Sequence, residues 1–215
     1  PNLVLTAGAP KTGKSWFVLG LAEELTQNDH TVVYISNEDT TRRLQARYKK
    51  VSDFPNKKLV FISGISSKKP LPKGEAGLAF ISALKRQYPD LKCVIVDTIQ
   101  AIRNPDLKQD YANVENEFSA IRKLAHKLEI TIIGVHHTKK TTDFETTPID
   151  RILGSQAIAA TAETIIILEQ CKGSQDVNLF ITGKDVEQNE EYRLHWTDHG
   201  FSEPEDKRLA DRGPV

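Results

Sequence analysis

The octapeptide Gly8-Ala9-Pro10-Lys11-Thr12-Gly13-Lys14-Ser15 fits G-x-x-x-x-G-K-[S/T] without deviation, and no other feature restricts the fold of this chain as strongly. Glycine at the fixed positions lets the backbone curl until successive N–H groups face one oxyanion. Such a loop needs a strand before it and a helix after it, because the helix N-terminus adds partial positive charge at the same spot. Both are at hand. Leu3-Val4-Leu5-Thr6 is a short apolar run, and from Trp16 onward Phe17, Leu21, Ala22 and Leu25 share one helical face. Lys14 then brings a full charge to the β- and γ-phosphates of a nucleoside triphosphate, and Ser15 brings a hydroxyl to Mg²⁺. Gly8 through Ser15, with Trp16 at the head of the helix, are the expected contacts of ATP.

The rest of the chain repeats the strand–helix alternation. Leu3–Thr6, Thr31–Ser36, Lys58–Ser63, Lys92–Asp97, Ile130–Val135 and Thr164–Leu168 are apolar with little alternation, which suits strands buried on both faces. Between them, Leu78, Ile81 and Leu84 share a helical spacing, as do Val114, Phe118, Ile121, Leu124 and Leu128. The fold class is therefore α/β, a mainly parallel twisted sheet flanked by helices. Val177–Thr182 and Tyr192–Trp196 are strand-like and are joined by the polar segment Gly183–Glu191. They read as an antiparallel hairpin added at one sheet edge. With 215 residues the chain suits one domain, taken as residues 1–200, followed by a charged, loose tail over 201–215. It opens inside a strand and contains no Met, so a region upstream is expected.

Composition narrows the function classes. Hydrophobic residues make up 39% and charged residues 27%, an ordinary globular balance. No apolar run approaches the ~20 residues of a membrane span, and the N-terminus lacks a signal peptide's pattern. Cys93 and Cys171 form neither a Cys-x-x-Cys nor a metal spacing, which suits a reduced, cytoplasmic protein. Lys plus Arg equals Asp plus Glu at 29 each, so the net charge does not supply the basic excess often found in nucleic-acid-binding domains.

Two strand ends carry carboxylates. Cys93-Val94-Ile95-Val96-Asp97-Thr98 closes on Asp97, which can hold the water shell of Mg²⁺ beside Ser15. The second strand closes on Ser36-Asn37-Glu38-Asp39-Thr40. A carboxylate there can orient the attacking water or accept its proton. Asp39 is the better placed to cap the helix holding Leu44 and Tyr48, which leaves Glu38 as the base. Spacing alone serves equally well if both carboxylates only serve the helix N-terminus.

These residues resemble the RecA-like P-loop ATPases, and within them the RepA-type hexameric replicative helicases with their DnaB and KaiC relatives. The resemblance runs from Leu3 to about Asp198. It rests on the phosphate loop, on Ile35-Ser36-Asn37-Glu38-Asp39, on Val94-Ile95-Val96-Asp97-Thr98, and on Gly134-Val135-His136-His137-Thr138-Lys139-Lys140. It implies that Glu38 is catalytic. Taken alone, His136 and His137 are strand neighbours pointing to opposite faces, so they do not share one metal and suit packed or surface positions. The resemblance makes His137 a sensor of the γ-phosphate. It also turns the polar segment Thr141 to Ile152 into a loop facing the centre of a ring, where Lys139, Lys140 and Arg151 contact single-stranded DNA. Arg103 to Gln109 is the second such loop. Relatives carry an Arg at the position of Lys184 that reaches into the neighbouring subunit's site; Arg193 is the other candidate for that trans-acting role. The implied protein is a homo-hexameric Mg-ATP motor on single-stranded DNA, working with replication proteins. Two other readings fit the same residues: a KaiC-like regulatory ATPase acting on protein partners, and a RecA-like recombinase ATPase that binds DNA without unwinding it.

Overall fold

The computed structural model describes residues 1–54, 56–67, 69–108, 110–138, 155–186, 190–202 and 205–206. The candidate DNA-loop residues Lys139, Lys140 and Arg151 lie outside the described residues.

The chain alternates as its apolar pattern requires. Strand β1 (Leu3–Gly8) is followed by α1 (Lys14–Gln27), β2 (Thr31–Ser36), α2 (Thr41–Val51), β3 (Leu59–Ser63), α3 (Glu75–Gln87) and β4 (Leu91–Asp97). A 3₁₀ turn at Ile99–Ala101 leads to α4 (Tyr111–Leu128), β5 (Thr131–His137), α5 (Ser155–Thr161) and β6 (Thr164–Gln170). Then come β7 (Val177–Gly183), β8 (Glu190–Leu194), β9 (Trp196–Thr197), β10 (Gly200–Phe201) and β11 (Glu205–Asp206).

One nine-stranded sheet, in the order β11-β8-β7-β6-β1-β5-β4-β2-β3, carries the molecule. Strands β6, β1, β5, β4, β2 and β3 run parallel. The antiparallel pair β7 and β8 extends the sheet beyond β6, the edge hairpin expected from the sequence.

Side-chain alternation divides the core into two layers. On one face Val33 and Ile35 of β2 join Val94 and Val96 of β4 and Leu5 of β1, covered by Ile81 of α3 and Phe118 of α4. On the other face Val32 and Tyr34 join Cys93 and Ile95, covered by Val18 and Leu19 of α1 and Leu44 and Tyr48 of α2. Burial on both faces explains why these strands read as unbroken apolar runs. It also pushes the Cys93 thiol up to about 12, so this cysteine is an inert core residue.

Register sets the ends of the parallel strands level. Gly8 of β1 pairs with His137 of β5, Asp97 of β4 with Val135, and Ser36 of β2 with Asp97. The residues that follow each strand therefore emerge along one edge, where open α/β sheets bind ligands.

The C-terminal segment holds structure that the sequence pattern did not signal. Gly200 and Phe201 pair antiparallel with Thr197 and Trp196, and Glu205–Asp206 pairs with β8. Strands of two residues are too short to carry a periodicity, so only their contacts reveal them. Among the described residues no helix is long and apolar enough to cross a membrane.

Candidate nucleotide site

The two glycines of the phosphate loop are required for different reasons. Gly13 has φ +85°, in the left-handed region that favours glycine. A Cβ there would also meet the Phe201 ring at 2.5 Å. At Gly8 the constraint is space, since a Cβ would lie 2.7 Å from the Leu168 carbonyl oxygen on β6. Within the loop, Thr12 Oγ1 donates to the Ala9 carbonyl at 2.9 Å. Lys14 Nζ donates to the carbonyls of Gly8 at 2.9 Å and Ala9 at 2.7 Å, which holds its ammonium inside the curve of the loop. Burial lowers the Lys14 pKa to about 8, against the pull of the Asp97 and Glu38 carboxylates in the other direction.

Asp97 is buried at the end of β4. Tyr34, projecting from β2 beside it, donates its hydroxyl to Asp97 Oδ2 at 2.7 Å. Burial raises the Asp97 pKa, hydrogen bonds from Ser15 and Tyr34 oppose that shift, and the nearby Glu38 and Asp39 charges add to it. Ser15 and Asp97 thus meet, as the sequence pattern requires of residues holding Mg²⁺. Their hydroxyl and carboxylate oxygens are the hard donors that Mg²⁺ prefers. Among the described residues no group of His, Cys, Asp and Glu can hold a metal by itself.

Glu38 and His137 leave different strands and converge. His137 Nε2 lies 3.6 Å from Glu38 Oε1, and both side chains are partly exposed at the rim of the cleft. His136, one residue earlier, points the other way. It is buried, and its Nδ1 lies 2.7 Å from Gln100 Nε2 in the 3₁₀ turn. The histidine pair is therefore split between two environments, as strand alternation demands.

Asp39 does not cap α2. Thr40 does, its side chain accepting from the Arg43 N–H at 3.3 Å. The buried Asp39 carboxylate instead takes Arg43 Nε at 3.1 Å and Arg47 Nη1 at 2.5 Å. The Ser36 hydroxyl oxygen accepts from the backbone N–H groups of both Glu38 (3.3 Å) and Asp39 (3.1 Å). This network fixes the turn that presents Glu38. Sequence reading missed it because the arginines, four and eight residues after Asp39, look like an exposed basic helix face.

The cleft occupies about 420 Å³ and is lined by Lys14, Ser15, Glu38, Asp97 and His137 together with Arg43, Arg47, Gln170, Gln175, Trp196 and Phe201. A larger hollow of about 720 Å³ lies beside it along α1, but no residue of the phosphate loop lines it, and the candidate site residues Lys14, Ser15, Glu38, Asp97 and His137 all line the smaller cleft.

Lys184 stands elsewhere. Gly183 pairs with Thr164, at the start of β6, and Thr164 pairs with Val4, near the start of β1. Lys184 follows at the edge of the sheet opposite its own phosphate loop, exposed, with its charge near Glu163. Arg193 lies against Asn178, both guanidinium contacts at 3.4 Å, and does not line the cleft either. Arg103 is drawn inward to Glu117 at 2.6 Å and over the Phe118 ring, which leaves Lys108 as the exposed cation of that loop.

Fold and site together define a P-loop protein of the RecA-like ATPase class. The chain belongs to the AAA domain family, whose model matches residues 2–143. Among solved structures it is similar to one of an ATPase domain, with a TM-score of 0.75 and 16% identity, covering 93% of this chain and 84% of that one. A DnaB-like replicative helicase, described with its interactions with primase, superposes with a TM-score of 0.72 at 16% identity, over 93% of this chain and 57% of the other. In sequence it is similar to DNA repair protein RadA of Streptococcus pneumoniae (strain ATCC BAA-255 / R6), 26% identical over 143 residues, which is 65% of this chain and 30% of the relative. RadA of Bacillus subtilis (strain 168) is likewise 26% identical over 143 residues, 65% of this chain and 28% of the relative. The chain thus spans less than a third of the length of these curated relatives.

Proposed function

We propose that this domain hydrolyses Mg-ATP and is the motor of a hexameric, RepA-like helicase on single-stranded DNA in replication. The observation that carries the ATPase reading is the approach of Glu38 to His137, 3.6 Å apart at the rim of the cleft that holds Lys14, Ser15 and Asp97. Lys14 and the loop N–H groups bind the phosphates and offset charge that develops during transfer. Ser15 and Asp97 would hold Mg²⁺, which would supply positive charge against that of the triphosphate. Glu38 orients water and takes its proton. His137, against Glu38, senses the terminal phosphate and passes its presence to the segment that follows β5. The position of Lys184 at the opposite sheet edge supports a role in a neighbouring subunit's cleft and none in its own. A ring arranged in this way multiplies weak DNA contacts by avidity.

The similarity to RadA favours a second reading, a RecA-like ATPase that handles DNA in repair without unwinding it. A regulatory, KaiC-like ATPase is the third; the neutral net charge and the inward turn of Arg103 support it. One assay orders them: the ATP hydrolysis rate with and without single-stranded DNA, beside a Lys14→Ala control. The expected result is a rate raised by DNA and abolished in the control. DNA stimulation without strand separation favours the repair reading. A rate indifferent to DNA removes both DNA readings and directs the search to a protein or a primase-like partner.

A further inference from the structure

The sheet edge that carries the phosphate loop also receives the segment between β3 and α3. Ser63, the last residue of β3, is level with Ser36 of β2, and Ser36 is level with Asp97. From Gly64 to Gly74 the chain holds three lysines and no carboxylate, in a sequence whose formal charges sum to zero. Lys68 lies outside the described residues. Lys69 and Lys73 are exposed, and no carboxylate among the described residues pairs with either. The arginines of the same edge are engaged within the fold: Arg43 and Arg47 face Asp39, and Arg103 faces Glu117.

This segment is anchored at both ends and in its middle. Leu71 is buried in the core, and Pro70 and Pro72 each fix their own φ. The Gly64 N–H donates to the Ser36 carbonyl at 2.8 Å. Two further bonds reach the turn that presents Glu38. Ser63 Oγ donates to the Asp39 carbonyl at 2.7 Å, and Ser66 Oγ accepts from the Thr41 N–H at 3.0 Å. At the far end the Gly74 N–H donates to the Ile102 carbonyl at 2.8 Å, next to the loop of Lys108. Asp106 and Asp110 flank Lys108, so the basic excess lies on the β3–α3 segment.

We propose that the β3–α3 segment is a binding site for single-stranded DNA, with Lys69 and Lys73 against its phosphates and Ile65, 54% exposed, against sugar or base. The proposal rests on the DNA reading of the domain and adds a surface to it. A lysine meets phosphate as a point charge and carries no sequence information, which suits a protein that moves along a strand. A strand held here lies on the residues that are hydrogen-bonded to the Glu38 turn, so its binding bears on hydrolysis.

Anisotropy of a labelled oligo(dT) over a salt series tests the site. The double variant Lys69→Ala with Lys73→Ala is expected to make the slope of log affinity against log salt shallower by about 1.4, from ~0.7 for each phosphate contact of a single strand. With the two proteins converging at 1 M salt, that slope makes the variant about 25-fold weaker at 0.1 M. Its hydrolysis rate without DNA should be that of the wild type, and stimulation should need more DNA. Lys69→Arg with Lys73→Arg should keep the wild-type slope. The slope counts phosphate contacts, so it does not move if the lysines only support the fold. Wild-type affinity and slope in the alanine pair overturn the site and leave the DNA reading standing. A wild-type domain that binds no oligonucleotide overturns the DNA reading, and the site falls with it. Polyglutamate bound in place of DNA, and lost in the alanine pair, gives the segment to an acidic protein partner and overturns the proposal.

Discussion

The phosphate end of the cleft and its aromatic end are assembled by different means. Glu38, Asp97 and His137 sit at or just beyond the ends of parallel strands, Lys14 and Ser15 open the helix that follows β1, and the level register of β1, β2, β4 and β5 brings them together. Their positions follow from the sheet. Trp196, Phe201, Gln170 and Gln175 come from the antiparallel extension and its ribbon, and ring contacts hold them against the phosphate loop. One end is positioned by backbone hydrogen bonds, the other by side-chain packing. Chemistry that needs fixed charges at short range resides on the first. The second packs directly on the phosphate loop, Phe201 against Gly13 and Trp196 against Trp16.

Substitutions can break this division. The largest effect is expected of Glu38→Gln, which keeps the shape of the site but removes the proton acceptor. Hydrolysis should fall by about 10²–10⁴-fold, with ATP binding retained, as single-turnover rates and calorimetry together will show. Comparable loss of binding would mean that Glu38 holds the nucleotide and does not act on water.

Next in size is Asp39→Ala. It strands Arg47, which is largely buried, without its carboxylate, and should cost about 3 kcal/mol of stability in urea unfolding. The double variant Asp39→Ala with Arg47→Met should recover much of that loss. A single variant as stable as the parent would show that the turn presenting Glu38 does not depend on this pair.

A smaller effect concerns pH. The buried Lys14 has its pKa lowered to about 8, so the domain without nucleotide carries that charge below about pH 8 and loses it above. ATP affinity should decline as pH rises through 8, well before an ordinary lysine titrates. The sign for stability is the reverse. The unfolded chain keeps its proton up to the ordinary lysine value of 10.5, so the Lys14 contribution makes the fold more stable with rising pH between about 8 and 10.5. Lys14→Ala should remove both trends.

The smallest expected effect in dilute protein is that of Lys184→Ala, which touches neither end of its own cleft. Its cost should appear only at concentrations where subunits assemble, as a drop in the hydrolysis rate per subunit. An equal drop at all dilutions would place Lys184 within its own site.

Much of the fold is legible in the sequence. Every apolar run that suits a strand is one, because a strand buried on both faces must be apolar along its whole length. The meeting of Ser15 with Asp97 follows from the loop pattern and a carboxylate at a strand end. Asp39 departs from its expected place for an identifiable reason: a carboxylate just before a helix usually caps it, and only the folded chain brings Arg43 and Arg47 around to compete. The ribbon β9–β10 looks in the sequence like the end of a strand and the start of a tail, since no periodicity survives in pairs of residues.

By itself the sequence determined what short-range chemistry dictates. Glycine is favoured at φ +85°, an unbroken apolar run must be covered on both sides, and a carboxylate that closes such a run comes to the sheet edge where the phosphate loop opens its helix. Tertiary structure decided everything that depends on which distant residues meet. It paired Glu38 with His137, turned Arg103 inward to Glu117, placed Lys184 at the far edge of the sheet and packed Trp196 edge-to-face with Trp16 and Phe201. Those choices are set by strand order and ring packing across long loops, and neither leaves a local signature in the chain.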